Sequence, residues 1–272
     1  VTKKNKYAFI GAGNMGQALI QGARESGVSG EDISVSDPSV AVREKCASLF
    51  GTKTFSNNEE AAASADIVVL AVKPQIIGEA IQSLVASGRE NLLYISVAAG
   101  VTLEQLSSYS EKNIAIVRCM PNTPAVIRSG ITALIANQNV TEPQRFDAES
   151  LLTAVGKTVW LDKESLMDAV TAVSGSGPAY FFMLIELLES CAIELGLSAE
   201  LGKELAVQTA YGACKLARNT SESAGELRKN VTSPNGTTEA ALKVFAAADI
   251  DRIVKSAVTA ARDRSIELAK GN

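Results

Sequence analysis

The stretch AFIGAGNMGQALIQG, residues 8–22, places Gly11, Gly13 and Gly16 in G-x-G-x-x-G spacing. A short apolar run leads into it and an amphipathic run follows, so the glycines sit where a buried strand turns into a helix. Gly11 permits the tight turn. Gly13 lets a pyrophosphate approach the backbone, and Gly16 lets the helix pack closely on the strand. Unpaired N–H groups and the dipole at such a helix start favour phosphate charge. The stretch predicts the opening βαβ unit of a dinucleotide-binding domain. A glycine-rich turn without a ligand is the plainer alternative.

The flanking sequence supports the first reading. ISVSD (33–37), DIVVLAV (66–72), NLLYISV (91–97) and IAIVRCM (114–120) are short, β-branched and nearly continuous in apolar residues. Parallel strands covered on both faces look like this. Amphipathic runs separate them, with capping-box spacing at Ser56/Glu59 and Thr102/Gln105. GITALIA (130–136) and KTVWL (157–161) are expected to add strands at the far edge. The pattern predicts a doubly wound, mostly parallel sheet over residues 1–163.

From about Leu166 the strand pattern stops. Pro178–Leu195, Ser198–Asn219, Ser223–Lys229, Thr237–Ala247 and Asp251–Lys270 read as helices, so residues 164–272 form an all-α domain. The helix from Pro178 is apolar nearly all round, and its 18 residues span roughly 27 Å. A helical domain of this size struggles to bury it alone. An intertwined dimer is the natural solution, and a monomer with this helix packed on the sheet domain is the alternative.

Composition narrows the function. The 272 residues are 46% hydrophobic and 21% charged, with a net charge of −4. No basic tract points to nucleic acid. The reading expects no membrane span, because Glu186, Glu189 and Glu194 interrupt the most apolar run, and no signal peptide. Cys46, Cys119, Cys191 and Cys214 show no CxxC pairing and read as reduced core residues of a cytoplasmic protein. The sequence has no histidine, which removes His triads, His bases and most zinc sites. No metal is expected.

The ribose end of the cofactor site is open on these grounds. Asp37 lies 21 residues past Gly16 (37 − 16), where an acid would take a 2′-hydroxyl. Ser36 and the hydroxyls of SDPS suit a 2′-phosphate instead, and Arg43 lies more than a turn along. AVKP (71–74), SVAAG (96–100) and MPNTP (120–124) follow successive strands, where ligands of such sheets bind. Pro121 and Asn122 are thereby candidates for cofactor contact. Lys73 reads as a site charge or a surface lysine.

NVTSPNGTTEAAL (230–242) suggests a second anion site. The helix starts either with Ser233 as cap and Pro234 as first residue, or near Gly236 with Asn235 as cap. Either register leaves the amides of Gly236, Thr237 and Thr238 unpaired, beside two threonine hydroxyls. That exceeds what capping needs; an ordinary well-capped helix is the alternative. SGSGPAY (174–180) reads as a second donor-rich helix break.

FIGAGNMG, AVKP, MPNTPA, DAVTAVSGSGPAY and VTSPNGTTEAAL occur in this order and together resemble the pyrroline-5-carboxylate reductases, from Tyr7 to about Lys270. The resemblance implies an α/β Rossmann domain and an all-α C-terminal dimerisation domain, working as a homodimer or a ring of dimers. It implies NADPH, with NADH as an alternative, and a small imino-acid substrate. Carried over, Ile10, Gly11, Ala12, Gly13, Asn14, Met15 and Gly16 line the pyrophosphate. Ser36 and Asn58 take the adenosine ribose and its 2′-phosphate. Ala71, Val72, Lys73 and Pro74, with Val97, Ala98 and Ala99, frame the nicotinamide end. Glu164, Asn230, Val231, Ser233, Gly236, Thr237 and Thr238 surround the substrate. Asn235 stands where the family usually has glycine, and NTSESAGEL (219–227) lacks its usual His-Pro.

The implied reaction delivers hydride to a cyclic imine whose carboxylate sits on the donor-rich helix start. The Thr238 hydroxyl is the candidate partner of the imine nitrogen. The proton arrives on the substrate or through water, so positioning carries most of the catalysis. Two other classes fit parts of the sequence. A β-hydroxyacid dehydrogenase shares the two-domain plan but uses a lysine on the first long C-terminal helix, and none occurs between Lys163 and Lys203. A dinucleotide-sensing binding protein would need no second anion site.

Overall fold

The computed structural model describes residues 4–89 and 92–270. Contacts divide it into two units: residues up to Gly175 together with those from Ala261 onward, and Ser176–Ala260. The first unit thus extends past residue 163. Met167 and Ala172 are buried in it, and Asp168 accepts a 2.7 Å hydrogen bond from Ser265 near the chain's last turns.

The first unit is built on one eight-stranded sheet: β1 (Tyr7–Ile10), β2 (Ile33–Ser36), β3 (Lys53–Phe55), β4 (Ile67–Leu70), β5 (Leu93–Ser96), β6 (Ala115–Met120), β7 (Gly130–Ala136) and β8 (Gly156–Trp160). Its order is β3-β2-β1-β4-β5-β6-β7-β8. All pairings are parallel except β6 with β7. Every residue of β1, β2, β4 and β5 is buried, as strands covered on both faces require. Asn91, the expected start of the β5 run, lies outside the described residues. The sequence reading missed β3, whose three residues are exposed or half-buried and carry no apolar run.

Helices α1 (Asn14–Glu25), α2 (Val40–Phe50), α3 (Asn58–Ala62), α4 (Ile77–Ala86), α5 (Leu103–Ser108), α6 (Glu142–Thr153) and α7 (Met167–Val170) belong to this unit, as does the helical segment from Ala261 onward. One core joins Phe9, Leu19, Ile33, Val69 and Leu152. The other joins Ile10, Val68, Ile77, Ile81 and Leu106 on the opposite face. The expected capping box at Thr102/Gln105 forms. The one at Ser56 does not: Asn57 caps α3, accepting the Glu60 amide at 2.9 Å.

The second unit holds α8 (Gly177–Glu194), α9 (Ala199–Arg218), α10 (Ala224–Asn230), α11 (Thr237–Ala247) and the first turns of α12 (Ile250–Ala269). The Ser223/Glu226 capping box starts α10. α8 and α9 pack closely; a Cβ on Gly202 would lie 3.0 Å from Ala192 Cβ. Of α8 only Gly177 is buried, while Phe181, Phe182, Leu187 and Leu188 are exposed. Cys191 and Cys214 are exposed too, a correction to their reading as core residues: they lie on helices whose apolar surface this chain leaves open.

The Gly-Ser-Gly-Pro run separates α7 from α8 as expected, with Ser176 a bend and the N-cap of α8, preceded by a π-helical turn, Thr171–Gly175. The back-bonding hydroxyls of Thr171 and Ser174 accompany it. The resulting helical stretch Glu164–Glu194, 31 residues, is long and apolar enough to cross a membrane by length and composition alone. The sequence reading began that helix at Pro178 and so counted its three glutamates against a shorter span.

Candidate functional site

The parallel register brings the expected cofactor residues to one edge of the sheet. Ile10 pairs with Ser36 and Leu70, and Leu70 pairs with Ser96. The segments after these strands therefore emerge together: Gly11–Asn14, Asp37–Ser39, Ala71–Pro74 and Val97–Ala99. β1 lies between β2 and β4, where the chain reverses direction across the sheet, the usual ligand crevice of such folds.

Gly11 has φ +87°, and a Cβ there would sit 2.7 Å from the Ala71 carbonyl oxygen; one on Gly16 would sit 2.7 Å from that of Gly11. Neither position admits a side chain. The Gly11 amide donates to Ser36 O at 2.8 Å and the Ala12 amide to Asp37 Oδ2 at 3.0 Å. Those two donors stabilise the turn and are spent. Gly13 is the N-cap of α1, without a side-chain cap. The first helical bond is Gln17 N to Gly13 O, so the Asn14, Met15 and Gly16 amides have no partner within the helix. A Cβ on Gly13 would meet nothing within 4 Å, which leaves the approach to these amides open.

At the ribose end, Ser36 donates to Asn58 Oδ1 at 2.7 Å. Asn58 Nδ2 is left as a donor. Asp37 is occupied: besides Ala12 it accepts the Ser39 amide on Oδ1 at 2.9 Å. Arg43 reaches back along α2 to the carbonyls of Asp37 (2.6 Å) and Pro38 (3.1 Å). Its guanidinium belongs to this corner, which the sequence reading did not see. The available signal was Ser39, the α2 cap, which sets Arg43 one turn in and on the same side.

The remaining cofactor candidates differ in availability. Lys73 and Pro74 are exposed, Ala71, Val72 and Val97 are half-buried, and Ala98 and Pro121 are buried. The Asn122 side chain is engaged, accepting the Ile131 amide at 2.9 Å and donating to Ser174 O at 3.1 Å. Glu164 Oε1 accepts the Leu103 amide at 2.7 Å and Arg118 Nη1 at 2.6 Å. The sequence reading passed over Arg118, although a charge inside the apolar run IAIVRCM was itself a signal.

In the second unit the loop before α11 is resolved differently from either expected register. Gly236 is the N-cap. Its amide is not available: it donates to Ser233 O at 3.0 Å and closes a turn through Pro234 and Asn235. Asn235 has φ +57°, the left-handed conformation at the third position of a type II turn, where glycine or asparagine is favoured. Its amide donates to Glu239 Oε2 at 2.9 Å. The first bond of α11 is Ala240 N to Gly236 O, which leaves Thr237 and Thr238 N–H without helical partners. Thr237 and Ser233 are exposed and Thr238 is half-buried. Asn230, at the end of α10, donates to Glu222 Oε1 at 2.6 Å, and Val231 is exposed. Among the described residues no cluster of His, Cys, Asp and Glu suits a metal.

Comparison with known proteins gives this arrangement its context. Residues 164–268 match the family described as pyrroline-5-carboxylate reductase dimerisation. Residues 6–100 match NADP oxidoreductase, coenzyme F420-dependent. The pyrroline-5-carboxylate reductase of Pseudomonas aeruginosa is 46% identical over 265 residues, 97% of each chain. The solved structure of a Coxiella burnetii pyrroline-5-carboxylate reductase is 38% identical, with a TM-score of 0.92 over 98% of this chain and 99% of that one. A Plasmodium falciparum pyrroline carboxylate reductase, solved with NADP bound, is 30% identical, with a TM-score of 0.89 over 99% and 100%.

A glycine turn feeding unpaired amides, on a doubly wound sheet joined to a helical dimerisation region, defines an NAD(P)-dependent oxidoreductase of Rossmann type. Within that class, near-full-length identity to curated relatives is specific. The chain belongs to the pyrroline-5-carboxylate reductase family.

Proposed function

We propose that this chain reduces 1-pyrroline-5-carboxylate to L-proline with NADPH, the last step of proline biosynthesis. The observation that carries the assignment is the donor-rich start of α11 in a chain of this family. Thr237 and Thr238 offer unpaired amides and hydroxyls beyond a Gly236 cap that has no side chain. A substrate carboxylate binds there through charge-assisted hydrogen bonds and the helix dipole.

The first unit suits NADPH. Asn14, Met15 and Gly16 amides hold the pyrophosphate, with Gly13 leaving room. Ser36, Asn58 and Arg43 hold the 2′-phosphate, and the Asp37 carboxylate, engaged by the Ala12 and Ser39 amides, is not offered to a ribose 2′-hydroxyl. Ala71 to Pro74, Val97 to Ala99 and the Pro121–Asn122 backbone frame the nicotinamide end. When bound, NADPH supplies hydride to the imine carbon.

The chain's own residues orient the substrate. Thr237, Thr238 and Ser233 fix its carboxylate end, Gly236 leaves room for its approach, and Asn230 and Val231 bound the ring. The Thr238 hydroxyl hydrogen-bonds the imine nitrogen. A threonine hydroxyl is too weak an acid to protonate that nitrogen, so the proton enters on the substrate or through water, and catalysis rests on positioning.

The family's dimerisation region coincides with the open apolar surface of α8. That surface, rather than a lipid contact, accounts for the long apolar helix, and we read the enzyme as a soluble cytoplasmic homodimer that assembles further into a ring. Its four cysteines are free, in keeping with a reducing compartment.

The deciding experiment follows NADPH and NADH oxidation in parallel with pyrroline-5-carboxylate as acceptor. Stoichiometric proline formation with a lower KM for NADPH supports the assignment. Absence of acceptor-dependent oxidation rejects it.

A further inference from the structure

Arg118 is an arginine in the interior of a sheet, 4% exposed. On β6 it pairs in register with Ser96, the last residue of β5 before the segment 97–102. Alternation along β6 puts it on the same face as Ile116, which belongs to the core that includes Leu106 of α5. Its guanidinium meets the Glu164 carboxylate at 2.6 Å. The same oxygen accepts the amide of Leu103, the first residue of α5. A buried cation, a carboxylate and a backbone amide therefore form a chain of contacts ending where segment 97–102 becomes helix.

Elsewhere the segment is held by Val97 N on Leu70 O at 3.2 Å, by burial of Ala98 and Val101, and by Thr102 N on Gln105 Oε1 at 2.8 Å. Ala98 N donates to Ser96 Oγ at 3.4 Å, and Gly100 has φ +76°. A Cβ on Gly100 would lie 3.2 Å from Leu268 Cβ, and Gln105 donates to Ala269 O at 2.7 Å. One side of the segment thus leans on the last turn of α12, and its junction with α5 at Leu103 is tied to Glu164. A buried arginine needs a partner to offset its desolvation. Here the partner is also the anchor of a loop.

We propose that Arg118 is a positioning residue for the reduction. It fixes Glu164, and Glu164 fixes the Leu103 end of segment 97–102 against the nicotinamide. This deepens the reading above, because it rests on Val97, Ala98 and Ala99 facing that ring. Glu164 then acts through the loop, whatever contact it also makes with substrate. Displacing reacting groups by about 1 Å can cost about 100-fold in rate, so a loosened loop reads out in turnover.

The test compares wild type with Arg118→Met, Arg118→Lys and Glu164→Gln. Steady-state kinetics are measured with NADPH and pyrroline-5-carboxylate, and binding with NADPH and with adenosine 2′,5′-bisphosphate, which lacks the nicotinamide. The expected result is a kcat lower by about 10- to 100-fold in Arg118→Met. NADPH should bind more weakly, the bisphosphate should bind as in wild type, and Arg118→Lys should recover part of kcat. If Arg118→Met does not fold, Glu164→Gln, which keeps an acceptor for Leu103 but loses the charge that holds Arg118, reads the same split. Wild-type kcat in the folded variants, or equal weakening of NADPH and the bisphosphate, overturns the proposal. Absence of wild-type activity would instead reject the reductase assignment itself.

Discussion

The Asp37 carboxylate accepts the Ala12 amide at 3.0 Å, joining the end of β2 to the glycine turn. With its other oxygen on the Ser39 amide, the acid that spacing alone would assign to a ribose 2′-hydroxyl is used inside the protein. What remains for the ribose is Ser36, Asn58 and the Arg43 guanidinium. Arg43→Ala is therefore expected to raise KM for NADPH about 10-fold or more, since hydrogen bonds to charged groups contribute roughly 1.5–3 kcal/mol. KM for NADH should stay within about twofold, because NADH brings no phosphate to this corner. Parallel cofactor titrations decide it; equal losses for both cofactors would remove Arg43 from the site.

Thr238→Ala deletes a hydroxyl and leaves its backbone amide in place. Turnover with pyrroline-5-carboxylate is expected to fall about 10- to 100-fold if the hydroxyl holds the imine nitrogen in the reacting geometry. NADPH affinity, measured by quenching of protein fluorescence, should be unchanged. Thr237→Ala is expected to act mainly on KM for the imino acid, because its hydroxyl serves the carboxylate in ground and transition states alike. Wild-type turnover in Thr238→Ala would overturn the assignment.

Asn235 tests the loop rather than the chemistry. With φ +57°, it occupies a conformation that asparagine tolerates and β-branched residues do not. Asn235→Gly should leave kcat and KM near wild type. Asn235→Val should cost about 1–2 kcal/mol in the loop and raise KM for pyrroline-5-carboxylate more than it lowers kcat. The informative comparison is the ratio between the two variants. A valine as well tolerated as glycine would mean that this turn does not shape the site.

The sequence made most of the first unit legible because β1, β2, β4 and β5 are buried at every residue, so their apolar runs carry the signal. β3 escaped because an edge strand of three half-exposed residues has no such run. The glycine turn was readable from spacing, since Gly11 and Gly16 are forced by backbone contacts that leave no room for Cβ. The fate of individual donors was not. Spacing marks Gly236 as an approach point but does not reveal that its amide closes a turn onto Ser233. Nor does it reveal that Arg43 curls back over the β2 end, or that Arg118 finds a carboxylate 46 residues away. Such long-range polar pairings depend on which strand lies beside which, and no local periodicity encodes that.

The open face of α8 predicts dependence on a partner. Phe182 and Leu188 are each more than half exposed in the single chain. Burying side chains of this size contributes about 1.5–3 kcal/mol each. Phe182→Asp combined with Leu188→Asp should convert a dimer in sedimentation velocity into monomer or aggregate, with loss of activity. The single conservative change Leu188→Met should leave both as in wild type. A fully dimeric double-Asp variant would place the interface elsewhere.

Cys119 gives a pH test of the sheet. Burial raises its thiol pKa above the ordinary 9.0, because a thiolate in the core has no solvation. The folded state therefore keeps the proton where the unfolded chain releases it. Below about pH 9 both states hold the proton and the full stability is present. As pH rises past that value the unfolded state gains a favourable ionisation that the native state lacks, so stability falls. Urea unfolding of wild type should show a lower midpoint at pH 10 than at pH 8. Cys119→Ala, less stable at both because a buried side chain is shortened, should show a smaller difference between them. Thiol labelling gives an independent check: at pH 8 the native protein should leave Cys46 and Cys119 unmodified, and denaturant should expose both. Rapid native labelling of Cys119, or an unchanged pH dependence in Cys119→Ala, would contradict a dry environment on that side of β6.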